Sequence, residues 1–382
     1  MLKIAFITYS RTKNYGGILQ AYGFYQYLVD CGYDVEIIDY IPERCNVGNR
    51  ELYVKRYTQK SRIWGMCELT RKIWDKLFYP IEISSYEPFW RFMNENVKFT
   101  KPYYSLEELK NDIPKADIYI TGSDQVWNSG FTEGKKIDTP FFLEFVPDDK
   151  RKISYASSFG SDMLVDGETN KIKNLLGRYY ALSVREDSGK KILKEMGLDG
   201  SVVLDPTMLC KRTTWDKIVS KRLENEPYIF VYLVKYNKIV LALAKNIAKT
   251  MKLKLVVATM GRMDAIKMHC GAVVCPSIND WLSYIKYSEA IITDSFHATI
   301  FSILFHRPFV VNSGVRASMS GRISTLLNTL GLKQQECNSF VTDEICNIIK
   351  NPINFEEVDK QLRVSRDFSN AWLQEAIEGK KD

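Results

Sequence analysis

Short runs of aliphatic and β-branched residues recur along the chain. Each closes on a few small polar residues and leads into an amphipathic stretch. Lys3 to Tyr9 predicts a buried strand, Ile18 to Leu28 a helix with Ile18, Ala21, Tyr25 and Leu28 on one face, and Val35 to Tyr40 a second strand. Gly32 closes that helix. The rhythm resumes with strands at Asp117–Thr121, Lys152–Gly160, Ala181–Asp187 and Val202–Thr207. A second series starts at Tyr228–Val234 and runs through helix Ile239–Thr250, strand Leu253–Ala258, short strand Ala272–Cys275 and helix Ile278–Tyr287. It continues with strand Ala290–Thr293, helix Ala298–Phe305 and strand Pro308–Asn312. Apolar runs without alternation are strands covered on both faces, and their alternation with helices gives parallel sheets. The pattern predicts an α/β chain of two Rossmann-like domains facing across a cleft.

On this reading residues 1–207 form the first domain, 208–227 a charged linker and 228–358 the second domain. Residues 359–382 form a C-terminal helix, with Val364, Phe368, Ala371, Trp372 and Ile377 on one face, placed to cross back to the first domain. Residues 41–116 interrupt the βα rhythm with a helical insertion. Between Arg50 and Pro80 it carries eight Lys/Arg against three acids, with Tyr53, Tyr57, Trp64, Trp74, Phe78 and Tyr79 among them. Such a segment either rests peripherally on a membrane face or caps its own domain. The cap is the favoured reading.

Composition narrows the classes. A chain of 382 residues is long for one core, which agrees with two domains. The net charge of +7 suits phosphates, an acidic glycan or an anionic surface. It is spread too evenly for a nucleic-acid stripe, so no nucleic-acid partner is expected. Eight cysteines without metal-ligand spacing, Cys270 and Cys275 being the closest pair, read as free thiols and give no metal site. The opening Met-Leu-Lys-Ile-Ala-Phe-Ile reads directly as a strand and not as a signal peptide. No apolar run approaches the roughly 20 residues of a membrane span. A cytoplasmic protein, with the inner membrane face as its outer limit, is the expectation.

The chemistry concentrates where strands end. His297 follows the strand Ala290–Thr293 and opens a helix, where the free N–H groups of an α/β crevice bind anions. From Ser295 to Gln335 there is no Asp or Glu, while His297, His306, Arg307, Arg316, Arg322 and Lys333 lie inside. Gly16 and Gly17, in the turn after the first strand, allow backbone to approach a ligand or simply make the turn. Asp124 lies in the polar loop Gly122–Asn128, and Arg185 closes a strand. Trp127 and Tyr155 are sugar platforms or core, with core the better reading.

Six segments come in a telling order: Asn14-Tyr-Gly-Gly-Ile-Leu-Gln-Ala-Tyr22, Thr121-Gly-Ser-Asp-Gln-Val-Trp-Asn128, Ser154-Tyr-Ala-Ser-Ser-Phe-Gly160, Ser183-Val-Arg-Glu186, Asp205-Pro-Thr207 and Thr293-Asp-Ser-Phe-His-Ala-Thr299. Together, from Lys3 to about Leu332, they resemble the polysaccharide pyruvyl transferase family. The resemblance implies a GT-B-like fold and no cofactor. It implies phosphoenolpyruvate as co-substrate and a sugar hydroxyl pair as acceptor, on a surface glycan or a lipid-linked oligosaccharide precursor. Carried onto this sequence, it implies His297, Asp124 and Arg185 as catalytic. Arg322, Arg316, Ser295, Gly16 and Gly17 then face the donor, and Asn14, Tyr15, Gln125, Trp127 and Tyr155 the acceptor. Some relatives carry Arg-Leu-His where this chain has Ser295-Phe-His297, and Arg316 or Arg322 would supply the missing charge. A sugar-nucleotide glycosyltransferase of the same architecture and a non-catalytic glycan-binding protein are the rival readings. The first of these usually holds a ribose with a second-domain carboxylate, for which Asp294 is the candidate.

Overall fold

The computed structural model describes residues 1–49, 68–132, 136–164, 167–234, 236–260, 272–312, 317–337 and 341–379. They form two wholly parallel sheets. The first contains β1 (Lys3–Ile7), β2 (Asp34–Ile37), β3 (Ile118–Thr121), β4 (Arg151–Ser157), β5 (Ala181–Val184) and β6 (Ser201–Val202) in the order β2-β1-β3-β4-β5-β6. The second contains β7 (Tyr228–Tyr232), β8 (Lys254–Thr259), β9 (Val273–Val274), β10 (Ala290–Thr293) and β11 (Phe309–Val311) in the order β11-β10-β7-β8-β9. Every residue of β3, β7, β10 and β11 is buried, as strands with helices on both faces require.

Each sheet has one place where neighbouring strands send their connections in opposite directions. In the first it lies between β1 and β3, in the second between β7 and β10. The carboxyl ends of such strands open a crevice that no crossover covers. Both crevices face the same cleft.

A continuous apolar seam joins the halves beneath it. Helix Tyr15–Asp30 packs its start on helix Ile278–Lys286 of the second half, with Tyr15 against Trp281 and Tyr232. Trp215 lies edge-on to Tyr22 on one side and Phe301 on the other. The expected 208–227 linker is therefore only partly a linker. Met208, Leu209, Cys210 and Trp215 are buried, and Trp215 Nε1 donates to the Thr207 carbonyl at 3.1 Å. Its charged residues mask an apolar i, i+1, i+2, i+7 set that only the seam can cover.

The expected strand Val202–Thr207 is also shorter than its apolar run, because Pro206 removes a ladder donor and opens a short helix, Pro206–Leu209, capped by Asp205. Helix Phe355–Glu378 returns to the first half: Leu204 N donates to Ser369 Oγ at 3.0 Å, and Arg366 Nε donates to the Met208 carbonyl at 2.7 Å. Within the insertion, residues 50–67 lie outside the described residues. The end of helix Glu68–Asn96 buries Phe89, Phe92 and Met93 over helix Tyr15–Asp30, with Phe89 beside Tyr15 and Phe92 beside Tyr22. That described portion is packed as a cap. Among the described residues no helix is long and apolar enough to cross a membrane.

Candidate active site

The cleft, about 350 Å³, is lined from the first half by Tyr9, Thr12 and Asn14 after β1 and by Asp124 and Gln125 after β3. From the second half come Val234 after β7, and Ser295, Phe296 and His297 after β10. These are the loops at the two switch points. Arg322, on helix Ala317–Thr329, completes the second wall, while Arg44, Cys45 and Phe131 close the first. Two helices begin here. Asn14 caps Tyr15–Asp30 by accepting from Gly17 N, and Ser295 caps Phe296–Leu304 by accepting from Ala298 N. Neither has an acid in its first turn, so both positive dipole ends remain open to an anion.

Loop Gly122–Asn128 is held from below. Thr8 Oγ1 donates to the Ser123 carbonyl at 2.9 Å, Ser123 Oγ to the Ala156 carbonyl at 2.9 Å, and Ser158 N to the Asp124 carbonyl at 2.9 Å. Asp124 adopts a φ of 72°, a left-handed conformation that Asp tolerates better than most residues.

Behind the cleft wall lies a buried charge cluster. Arg185 Nη1 donates to Asp205 Oδ2 at 2.9 Å and Nη2 to Asp124 Oδ1 at 3.1 Å, while Nε is 3.8 Å from Glu186 Oε2. Its guanidinium lies 4.7 Å from the centroid of the Phe296 ring. Asp205 Oδ1 accepts from Thr207 N at 3.0 Å and Thr207 Oγ1 at 2.7 Å. His297 Nε2 is 3.4 Å from Asp205 Oδ2. Burial alone would raise the Asp205 carboxyl, but His297, Arg185 and Thr207 outweigh it and hold the group well below the usual carboxylate range. For Glu186 burial wins. Its carboxyl is pushed up despite Arg185, Arg322 and a 2.6 Å bond from Ser158 Oγ.

The structure brings together His297, Asp124, Gln125, Ser295, Asn14 and Arg322. With the Gln125 amide oxygen turned to Arg322, it accepts from both terminal guanidinium nitrogens at 3.0 and 3.2 Å. Gly16 lies against His297, while the Gly17 N–H is taken by Asn14 at 3.1 Å. Arg316 lies outside the described residues.

Four expectations are corrected. Tyr15 is fully buried and donates to the Pro276 carbonyl at 2.6 Å, locking the two halves where an acceptor contact was expected. Trp127 packs with Phe142 and Phe159 under its loop and donates to the Phe141 carbonyl. Tyr155 stacks on Phe24 and donates to the Leu204 carbonyl at 3.0 Å. Both rings are core, the reading favoured from the residues themselves over the acceptor role that the resemblance implied, since a buried Trp or Tyr serves an apolar body with one polar tip. Arg185, expected as catalytic, has a side chain only 1% exposed, and its terminal nitrogens pair with Asp205 and Asp124 behind the cleft wall.

Sequence reasoning left Asp205 and Glu186 unassigned although both stand inside quoted motifs. Tyr9 was read as the end of the first strand, and Thr12 lies in the turn that follows it. Arg44 had no local signal: it reaches the cleft from the insertion by donating to the Tyr9 hydroxyl and pairing with Asp138 Oδ2 at 2.6 Å. Among the described residues no group of three or more His, Cys, Asp or Glu could hold a metal ion.

Comparison with known proteins places this geometry. The solved UDP-N-acetylglucosamine 2-epimerase from Rickettsia bellii is similar with a TM-score of 0.53 at 9% identity, over 99% of this chain and 98% of that one. The UDP-GlcNAc 2-epimerase from Neisseria meningitidis, bound to UDP-GlcNAc, is similar with a TM-score of 0.53 at 10% identity, over 98% and 100%. Arabidopsis thaliana UGT89C1, complexed with UDP-L-rhamnose, is similar with a TM-score of 0.50 at 8% identity, over 97% and 94%. At such identities the likeness is one of fold, and the fold is GT-B-like. No curated protein matches the chain in sequence. The model of the polysaccharide pyruvyl transferase family matches residues 14–312, from the Asn14 helix cap through the His297 loop to the end of β11. The chain belongs to the polysaccharide pyruvyl transferase family and is an enzyme of that kind.

Proposed function

We propose that this enzyme transfers the pyruvyl group of phosphoenolpyruvate to two hydroxyls of a sugar on a surface polysaccharide or its precursor, forming a pyruvate ketal. The observation that supports this most is the position of His297. It shares one cleft with Arg322, Arg44 and two acid-free helix N-termini, so a proton-transfer group stands beside charges suited to a phosphate and a carboxylate. In the reaction the methylene carbon of the donor gains a proton, and its neighbouring carbon becomes oxocarbenium-like. One hydroxyl adds there, phosphate leaves, and the second hydroxyl closes the ketal. Of the two hydroxyl protons, one balances the new methyl group and one leaves with phosphate. His297 moves the proton at the reacting atoms, and Arg322 with the helix ends holds the anion.

A sugar-nucleotide reading finds less support in the second half. Asp294, the carboxylate expected to hold a ribose, is buried and accepts from the Val234 N–H at 2.7 Å. The test is incubation with phosphoenolpyruvate, with nucleotide sugars and with a panel of glycans. Phosphate release that requires an acceptor, with the acceptor gaining the elements of pyruvic acid less one water, is the expected result. Nucleotide release in its place would overturn the proposal.

A further inference from the structure

His297 meets two groups of the first half, one at the Nε2 edge of its ring and one on its face. Nε2 is buried, with no hydrogen-bond partner among the described residues, and Asp205 Oδ2 lies 3.4 Å from it. Over the ring face beside Nδ1 stands Gly16, so close that a Cβ there would lie 2.1 Å from Nδ1, 2.6 Å from Cγ and 2.8 Å from Cε1. Gly16 is the second residue of helix Tyr15–Asp30, where its backbone is ordinary helix that any residue can adopt. Glycine in a helix costs about 1 kcal/mol relative to alanine. The ring, not the backbone, accounts for it.

We infer that Asp205 and Gly16 are positioning residues for His297: Asp205 holds the ring proton on Nε2, which leaves Nδ1 as the nitrogen that acts on substrate, and Gly16 lets the ring pack in that orientation. An ionised carboxylate only accepts, so the ring nitrogen that faces it carries hydrogen. Asp205 is fixed for that task. Its side chain has 0% exposure, Thr207 fills one oxygen, and Arg185 Nη1 and Ser123 Oγ share the other with His297 at 2.9 and 3.4 Å. The remaining lone pair lies on Nδ1, in the plane of the ring, while Gly16 packs against the ring face. One proton then moves at a time, to or from Nδ1, while the Nε2 proton stays facing Asp205. Because the carboxylate and the glycine come from one half and the histidine from the other, the working tautomer exists only when the halves are assembled. This inference rests on His297 being the proton-transfer group of the proposed reaction.

The test uses the full chain labelled with nitrogen-15 histidine. The sequence holds three histidines, and those of His297 are identified by their loss in His297→Gln. With the ring neutral, the protonated signature is expected on Nε2 and the unprotonated one on Nδ1. Asp205→Asn is expected to erase that preference and lower kcat about tenfold or more, the scale of lost orienting partners. Gly16→Ala is expected to shift the ring signals and lower kcat about a hundredfold. A proton on Nδ1 in the wild type would overturn the inference, a measurement that needs no variant to fold. So would an unchanged tautomer in Asp205→Asn, or wild-type kcat in Gly16→Ala. Full activity in His297→Gln, with the proton of the wild-type ring found on Nε2, would instead remove His297 from the chemistry and leave the hold on the ring standing.

Discussion

Tyr15 and Trp281 stack face to face across the two halves, ring centroids 4.8 Å apart and planes within 6°. The Tyr15 hydroxyl then donates to the Pro276 carbonyl at 2.6 Å. The residue next to Gly16 is thus an anchor between halves, and the helix that meets His297 is held through it. Tyr15→Ala removes a buried ring and is expected to cost about 3–5 kcal/mol in chemical denaturation. Tyr15→Phe loses one hydrogen bond, about 1 kcal/mol, with the stack intact. Its Michaelis constant for the acceptor should stay at the wild-type value; a large rise would return Tyr15 to the acceptor site.

Arg185 faces three carboxylates inside the protein, so its loss exposes them to one another. Arg185→Ala is expected to destabilise by about 3–5 kcal/mol, the scale for breaking a buried ion pair. Arg185→Lys keeps the charge but cannot reach Asp205 and Asp124 with separate planar nitrogens, so it should fall between. Stability near wild type in both variants would show that Arg185 acts on the ligand alone.

His297→Gln is expected to fold, bind donor and lose roughly 10²-fold or more in turnover, the scale of a missing general acid or base. His306→Gln serves as the control. His306 stacks on Phe355 and meets Asp359 Oδ1 at 3.0 Å at the base of the C-terminal helix, outside the cleft. Normal turnover in His297→Gln, measured at saturating acceptor, removes His297 from the chemistry.

Arg322 lines the cleft from the second half and is almost fully buried. Arg322→Ala is expected to raise the apparent donor constant about 10- to 100-fold, the worth of a charge-assisted hydrogen bond. Arg316→Ala should do less. The opposite ordering would transfer the anion contact to Arg316.

Asp205 and Glu186 give stability opposite dependences on pH. The folded Asp205 carboxyl lies below its unfolded value, so its contribution is complete above about pH 4 and is lost as pH falls below that toward the folded value. Burial raises Glu186, so its ionised form costs stability at neutral pH, and acidification relieves that cost. Thermal unfolding from pH 7 downward should therefore stay level or improve slightly before a steep fall below about pH 4. Asp205→Asn should flatten the fall. Parallel curves for wild type and variant would assign the acid transition elsewhere.

Strand positions were readable because each parallel strand is covered on both faces and so is written as a short apolar run. Ala290–Thr293 is such a case, with strand bounds the same in sequence and structure. The polar loop at Asp124 and the strand-to-helix turn at His297 were readable for a related reason. Strand ends and helix starts call for small polar residues whatever lies beyond them. The aromatics were a different matter. Trp127 and Tyr155 carry the same local signature as a sugar platform, so core was only the better of two readings until packing against Phe142 and Phe24 decided it, and Tyr15 is core through its stack on Trp281.

Read along the chain, the stretch Ser295–Gln335 is basic and free of acids. In space it faces Asp205, Asp124 and Glu186, which belong to strand ends 90 and more residues earlier by numbering. By itself the sequence determined two parallel α/β sheets, their switch-point loops and His297 as the residue at the second of them. It did so because periodicity, capping and strand burial are local demands on the chain. Only the tertiary structure decided that Arg185 is held by carboxylates, that Asp205 faces His297 and that Gly16 lies against its ring. Charges and close contacts act through space, and the pairs that meet across this cleft have no neighbouring positions in the sequence.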